Sequence, residues 1–180
     1  LNSISLAPDG DLIASFRGCA QILKIDRPTG SVVWRLGGSV SDYLIVGDAF
    51  EEFCGQHTAL EPSANVLLMF DNGGYCLGTR ETDFGLFSRI LEYQLDPIAG
   101  QAHFQRDHSL YGIYQEYTRS QGSVQLLQNG NWFVSWGNGP EMSVTEITEA
   151  GKEIFQMKII FDGAIAVTYR AYRDAGVIVE

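Results

Sequence analysis

His57 is the side chain in this sequence with the widest chemical range: near neutral pH an imidazole can serve as base, nucleophile or anion ligand. It follows Gly55-Gln56, just where a strand is expected to begin. Asp71-Asn72-Gly73-Gly74 reads locally as a turn. Its functional reading has Asp71 orienting His57 from the next strand and Asn72 donating to an anionic ligand. Arg17 offers a fork of N–H donors suited to a carboxylate, sulfate or phosphate. Arg80 and Arg89 bracket a long connection, and Arg170 lies near the C-terminal end. In a chain of net charge -10, such arginines gathered at one place would make a distinctive anion site. His103 is expected to be structural and His108 to be solvent-exposed.

The elements that must position these residues emerge when three segments are stacked: Ser3 to Phe16, His57 to Phe70 and Ser123 to Trp136. Each is a strand, a polar turn and a strand ending on an aromatic, and the three align without gaps. Ile25-Asp26, Leu95-Asp96 and Ile147-Thr148 then lead into turns at Gly30, Gly100 and Gly151. Four residues after those glycines stand Trp34, Phe104 and Phe155. The repeating unit is four strands, spaced wider than the ~40–50 residues of common propeller repeats, with the surplus in loops.

The expected fold is therefore all-β: a β-propeller fragment of about three four-stranded antiparallel blades plus a partial fourth, in one domain over 1–180. The blades fall at about 1–37, 55–107 and 122–161, with the partial one from 168; a sandwich is the weaker alternative. Chain direction puts the tight turns on one edge. The long connections 37–56, 73–88 and 106–122 gather on the other, where function is usually built. Asn2-Ser3, Gln56-His57 and Gly122-Ser123 head the inner strands on that face, at the mouth of a central channel.

Composition sets the outer limits. With 180 residues, 45% hydrophobic, 12% aromatic and 19% charged, the chain can bury a core and is not a disordered segment. No apolar run approaches the roughly 18 residues of a membrane span. Twelve Lys and Arg against 22 Asp and Glu disfavour a nucleic-acid partner. Cys19, Cys54 and Cys76 lack the spacing of a zinc site, so no metal is expected. A Cys54–Cys76 bridge and three free thiols both stay open. There is no Gly-x-Ser-x-Gly elbow, no phosphate loop with Lys, no His-Glu-x-x-His and no dinucleotide fingerprint, so hydrolase, kinase and zinc-peptidase readings gain nothing. The chain begins at Leu1 in what already reads as a strand, and is expected to be part of a longer protein.

The sequence resembles the arylsulfotransferase family over nearly its whole length. The likeness rests on Asn2-Ser3-Ile4, Ile22 to Asp26 with Trp34 to Gly38, Gly55-Gln56-His57, Phe70 to Gly73, and Ser88 to Asp96. Gly122 to Gln125 with Asn129-Gly130-Asn131, and Tyr169 to Arg173, complete it. The resemblance implies a six-bladed propeller that moves sulfate between phenols by a ping-pong route through a channel histidine, with no nucleotide donor and no cofactor. It makes His57 the catalytic candidate, sulfate-binding and acid/base. It implies that Arg80 or Arg89 is a sulfate-binding arginine, and these two join Asn2, Arg17, Asp71 and Asn72 as the substrate-binding candidates for a small anionic aromatic substrate, an aryl sulfate or a phenol. It also suggests an extracytoplasmic, periplasmic or secreted, location. Two departures stand out: Gly18 occupies a place where the family has a histidine, and the third blade, at Trp136 to Pro140, has none. The alternative reading is a non-catalytic propeller that binds a protein or glycan partner on its loop face.

Overall fold

The computed structural model describes residues 1–50, 52–74, 87–109, 117–139 and 143–174. They form antiparallel sheets with a single short 3₁₀ turn, Arg17–Cys19, and no longer helix. The first sheet is β1 (Ser3–Leu6), β2 (Leu12–Phe16), β3 (Gln21–Ile25) and β4 (Val32–Gly37), in that spatial order. After β5 (Leu44–Val46), the second is β6 (His57–Ser63), β7 (Val66–Asp71), β8 (Arg89–Asp96) and β9 (Gln101–His108). The third is β10 (Ser123–Leu126), β11 (Trp132–Ser135), β12 (Val144–Ile147) and β13 (Glu153–Met157). A hairpin of β14 (Ile160–Phe161) and β15 (Ala164–Ile165) follows.

The turns form for the reasons their residues suggest. Gly10, Gly30, Gly130 and Gly151 each donate their N–H back across a tight turn at positive φ, a backbone region open to glycine at little cost. Two elements were not foreseen. Strand β5 adds to β9 in parallel as a fifth strand of the second sheet, and β14–β15 has no place in the repeat.

Two apolar layers hold the sheets face to face. Ile13, Ile22, Trp34 and Leu36 of the first sheet meet Leu67, Met69, Leu91 and Tyr93 of the second. Leu68, Phe70 and Ile90 of the second meet Val124, Val134 and Trp136 of the third. Successive residues of β7 thus point into different cores, which is why Val66 to Phe70 is an unbroken apolar run and not an alternating one. The repeated aromatic shows the same logic at the edges: Trp34 is buried, Phe104 half-buried and Phe155 44% exposed.

The gapless alignment of the repeats hides two register shifts between β6 and β7, one between Leu60 and Ser63 and one at the head of β6. His57 pairs with Phe70 but Ala59 pairs with Met69, so Thr58 is an extra residue at φ 46, a β-bulge at the head of β6. Bulges re-aim the neighbouring side chain, and here that neighbour is His57.

Candidate functional site

The inner strands bring together parts of the chain that are far apart in sequence. Asn2 Nδ2 donates to the Gln56 carbonyl at 2.6 Å. Gln121 N–H donates to His57 Nε2 at 3.1 Å, and Gly122 N–H to the Tyr169 carbonyl at 3.2 Å. The Arg170 guanidinium then reaches the Asn2 carbonyl, which completes a cycle of contacts among four segments. The segment from Tyr169 to Arg173 lies along β10 much as β6 lies along β1. Ala171 exchanges hydrogen bonds with the Ser123 hydroxyl, as Ala59 does with the hydroxyls of Ser3 and Ser5. Two residues before each of these alanines stand His57 and Tyr169, whose rings meet edge-on with centroids 6.3 Å apart.

His57 is buried and its protonation pattern is fixed by its partners. Asn72 Nδ2 donates to the carbonyls of Thr118 and Gln121, at 2.8 and 3.0 Å, which leaves Asn72 Oδ1 to accept. His57 Nδ1–H donates to that oxygen at 2.7 Å. Nε2, which receives the Gln121 N–H, is therefore the unprotonated nitrogen of a neutral ring. Burial pushes the His57 pKa below 6.5; the Asn72 contact opposes this, and repulsion from Arg17 and Arg170 adds to it. Ring-proton NMR is expected to place its titration midpoint below 6.5, and Arg17→Gln to move it upward. A midpoint at or above 6.5 in the unsubstituted protein would contradict this electrostatic picture.

Arg17 stands at the end of β2 in the 3₁₀ turn and donates to the Arg119 carbonyl at 3.0 Å. Its charge acts on His57, so Arg17, Asn72 and His57 share one neighbourhood, with Asn2 beside it. Asn2 Oδ1, Gln56 Oε1 and Gln121 Oε1 are buried acceptors that meet no hydrogen-bond donor among the described residues.

Asp71 and Arg89 sit elsewhere. Side chains alternate along a strand, so Asn72 and Asp71 face opposite ways, and it is Asn72 that orients His57. Asp71 Oδ1 instead accepts the N–H groups of Cys54 and Gly73, and Asp71 Oδ2 accepts Arg89 Nε at 3.1 Å. Arg89 is fully buried, with Asp48, Asp107 and the Glu52 carbonyl on its two terminal nitrogens and the Phe50 ring against its face. Burial alone would raise the Asp48 carboxyl, but Arg89 and the Tyr93 hydroxyl hold it below the ordinary carboxylate range. This guanidinium ties the second sheet together and does not face His57.

Arg80 and Cys76 lie outside the described residues. Cys54 is disulfide-bonded, and Cys19 is an exposed free thiol. His108 is not solvent-exposed as expected: it is largely buried, 3.8 Å from Glu153 across the gap between the second and third sheets. His103 is half-buried on β9. Of the three histidines, His57 alone joins the cycle of inner segments. Among the described residues no cluster of His, Cys, Asp and Glu could hold a metal ion, and no helix is long and apolar enough to cross a membrane. Gln121 and Tyr169 were not among the expected site residues. Gln121 acts through its backbone, which no side-chain pattern announces, whereas Tyr169 could have been found by matching Ala171 to Ala59.

A family model described as arylsulfotransferase (ASST) matches residues 1–161. The chain belongs to the arylsulfotransferase family. No curated protein matches it closely enough to show kinship. The family match spans the three main sheets, and with them His57, Asn72 and Gln121.

Proposed function

We propose that this arylsulfotransferase-family protein transfers a sulfuryl group from an aryl sulfate to a phenolic acceptor, with His57 as its acid/base residue. The observation that carries the reading is the setting of His57: neutral, held by Asn72, with Arg17 and Arg170 close enough to act on it. The sheets are taken as successive blades of one propeller domain, and the cycle of contacts among Asn2, His57, Gln121 and Arg170 supports a common axis. The disulfide at Cys54 supports an oxidising, extracytoplasmic setting.

In this scheme Arg17 and Arg170 offset the charge of the sulfate. Nε2 gives up the Gln121 N–H and accepts the O–H proton of the acceptor phenol, whose oxygen then forms a bond to sulfur. When the bond from sulfur to the donor's aryl oxygen breaks, the departing phenolate takes that proton from Nε2 and the ring is neutral again. Atoms and charge balance without a cofactor.

The test is release of 4-nitrophenol from 4-nitrophenyl sulfate by the full-length protein, with and without added phenol. Release that depends on phenol, with formation of phenyl sulfate, is expected; no phenol-dependent release would overturn the reading. A base must be unprotonated, and the His57 pKa is lowered, so the rate should hold through neutral pH and be lost only as pH falls through a value below 6.5.

A further inference from the structure

A cavity of about 350 Å³ lies at the other end of β6 from His57, where the tight turns of the first and second sheets meet. The charged side chains that line it are Asp9, Asp11, Asp42 and Lys24. Lys24 is already engaged, with its Nζ 2.6 Å from Asp9 and 2.7 Å from Glu61. Asp42 has only the partly exposed Arg35, at 3.5 Å. Asp11 accepts the Arg27 backbone N–H at 3.3 Å and has no ion pair among the described residues. With Glu61 behind Lys24, four carboxylates thus face two cations. The remaining wall is apolar: Val33, Pro97 and the rings of Trp34 and Tyr43, which meet edge-on with centroids 5.9 Å apart. Tyr43 gives an independent pointer to a ligand. It is only 8% exposed, yet its hydroxyl makes no hydrogen bond among the described residues. Asp42, Glu61, Lys24 and Asp96 all act on that hydroxyl electrostatically, which aims it at the acidic side of the cavity.

We propose that this cavity binds a primary alkylammonium group, its nitrogen held by Asp11, Asp42 and the Tyr43 hydroxyl and its methylene stem lying along Trp34, Val33 and Pro97. An ammonium offers three donors and no acceptor, and this wall presents acceptors that have no donor of their own. A short alkyl stem packs on the apolar side while its head stays among the carboxylates. A quaternary ammonium matches the charge but has no N–H for Tyr43, and an anion is repelled. The volume is that of a small ligand. The inference does not rest on the sulfate-transfer reading, because the cavity and His57 occupy opposite ends of β6. A free diamine and a lysine side chain of a partner protein share this chemistry, and the experiment tells them apart.

Calorimetric titration of the full-length protein with cadaverine is expected to show saturable binding at one site. Tyr43→Phe removes a hydroxyl that the fold does not use, and weakens binding about threefold. Asp11→Asn combined with Asp42→Asn weakens it about tenfold. The asparagines keep an acceptor oxygen for the Arg27 and Arg35 backbone N–H groups, so both variants retain the Tm of the unsubstituted protein. Pentyltrimethylammonium, with the same stem and no N–H donor, binds more weakly than cadaverine. Since the whole chain is acidic, diffuse attraction is the competing outcome. Binding that does not saturate, or a Kd unchanged in both variants, overturns the proposal. Nα-acetyl-lysine methylamide identifies the source. If it binds as tightly as cadaverine and loses affinity in Tyr43→Phe, the occupant is a lysine side chain of a partner. If cadaverine alone binds, the occupant is a free amine, and if neither binds the proposal falls.

Discussion

His57→Ala is expected to lower phenol-dependent turnover of 4-nitrophenyl sulfate by ~100-fold or more, the usual worth of a positioned acid/base group. The loss is expected mainly in kcat, because Arg17 and Arg170 remain to hold the sulfate. Removing the ring also strands the Gln121 N–H and Asn72 Oδ1, which costs about 1–3 kcal/mol of stability. Turnover must therefore be compared at a temperature where both proteins are folded. His57→Gln serves as the partner variant: it can restore hydrogen bonds to Asn72 and Gln121 but has no basic nitrogen, so it should recover stability without recovering rate. Full turnover in either variant removes His57 from the reaction.

The second large effect concerns folding. Arg89→Met is expected to destabilise the protein by about 3–5 kcal/mol, since it leaves Asp48 and Asp71 buried without their countercharge. For a chain of this size that corresponds to a fall in Tm of roughly 6–20 °C. The pH dependence has a definite sign. Asp48 titrates below its ordinary value in the fold, so its contribution is present above that ordinary range and is lost as pH falls through the lowered value. In Arg89→Met the Asp48 carboxylate loses the cation that holds it low and becomes easier to protonate, which relieves the uncompensated charge. The two thermal curves should therefore converge on acidification. A variant with the Tm of the unsubstituted protein at neutral pH would mean that the cluster holds nothing together.

How much of this the sequence disclosed depends on the range of the interaction. Tight turns at Gly30 and Gly130 and the aromatics at matched positions announce four-stranded units, because turn chemistry and period-two burial are local. The apolar run of β7 went unread in the sequence, since only the two cores show that both its faces are covered. Local signals could not disclose the bulge at Thr58, as nothing in a threonine asks for φ 46. They also could not decide between Asp71 and Asn72, since a shift of one residue in register exchanges their faces. Arg89 illustrates the same limit: it reads as an anion-site arginine beside a long connection until Asp48 and Asp107, distant in sequence, arrive beside it. Resemblance supplied His57 as a candidate, and geometry supplied its partners.

Strand β7 has no dispensable side. On a strand with one wet face, every second position can drift among polar residues, so a lineage can tune charge or solubility there without touching the interior. From Leu67 to Phe70 neither parity offers that freedom, because odd and even residues belong to different cores. The strand couples the two layers, so an adjustment on one face that displaces the backbone is felt on the other. Variation in this molecule is thereby steered away from its middle and toward the long connections and the outer strands.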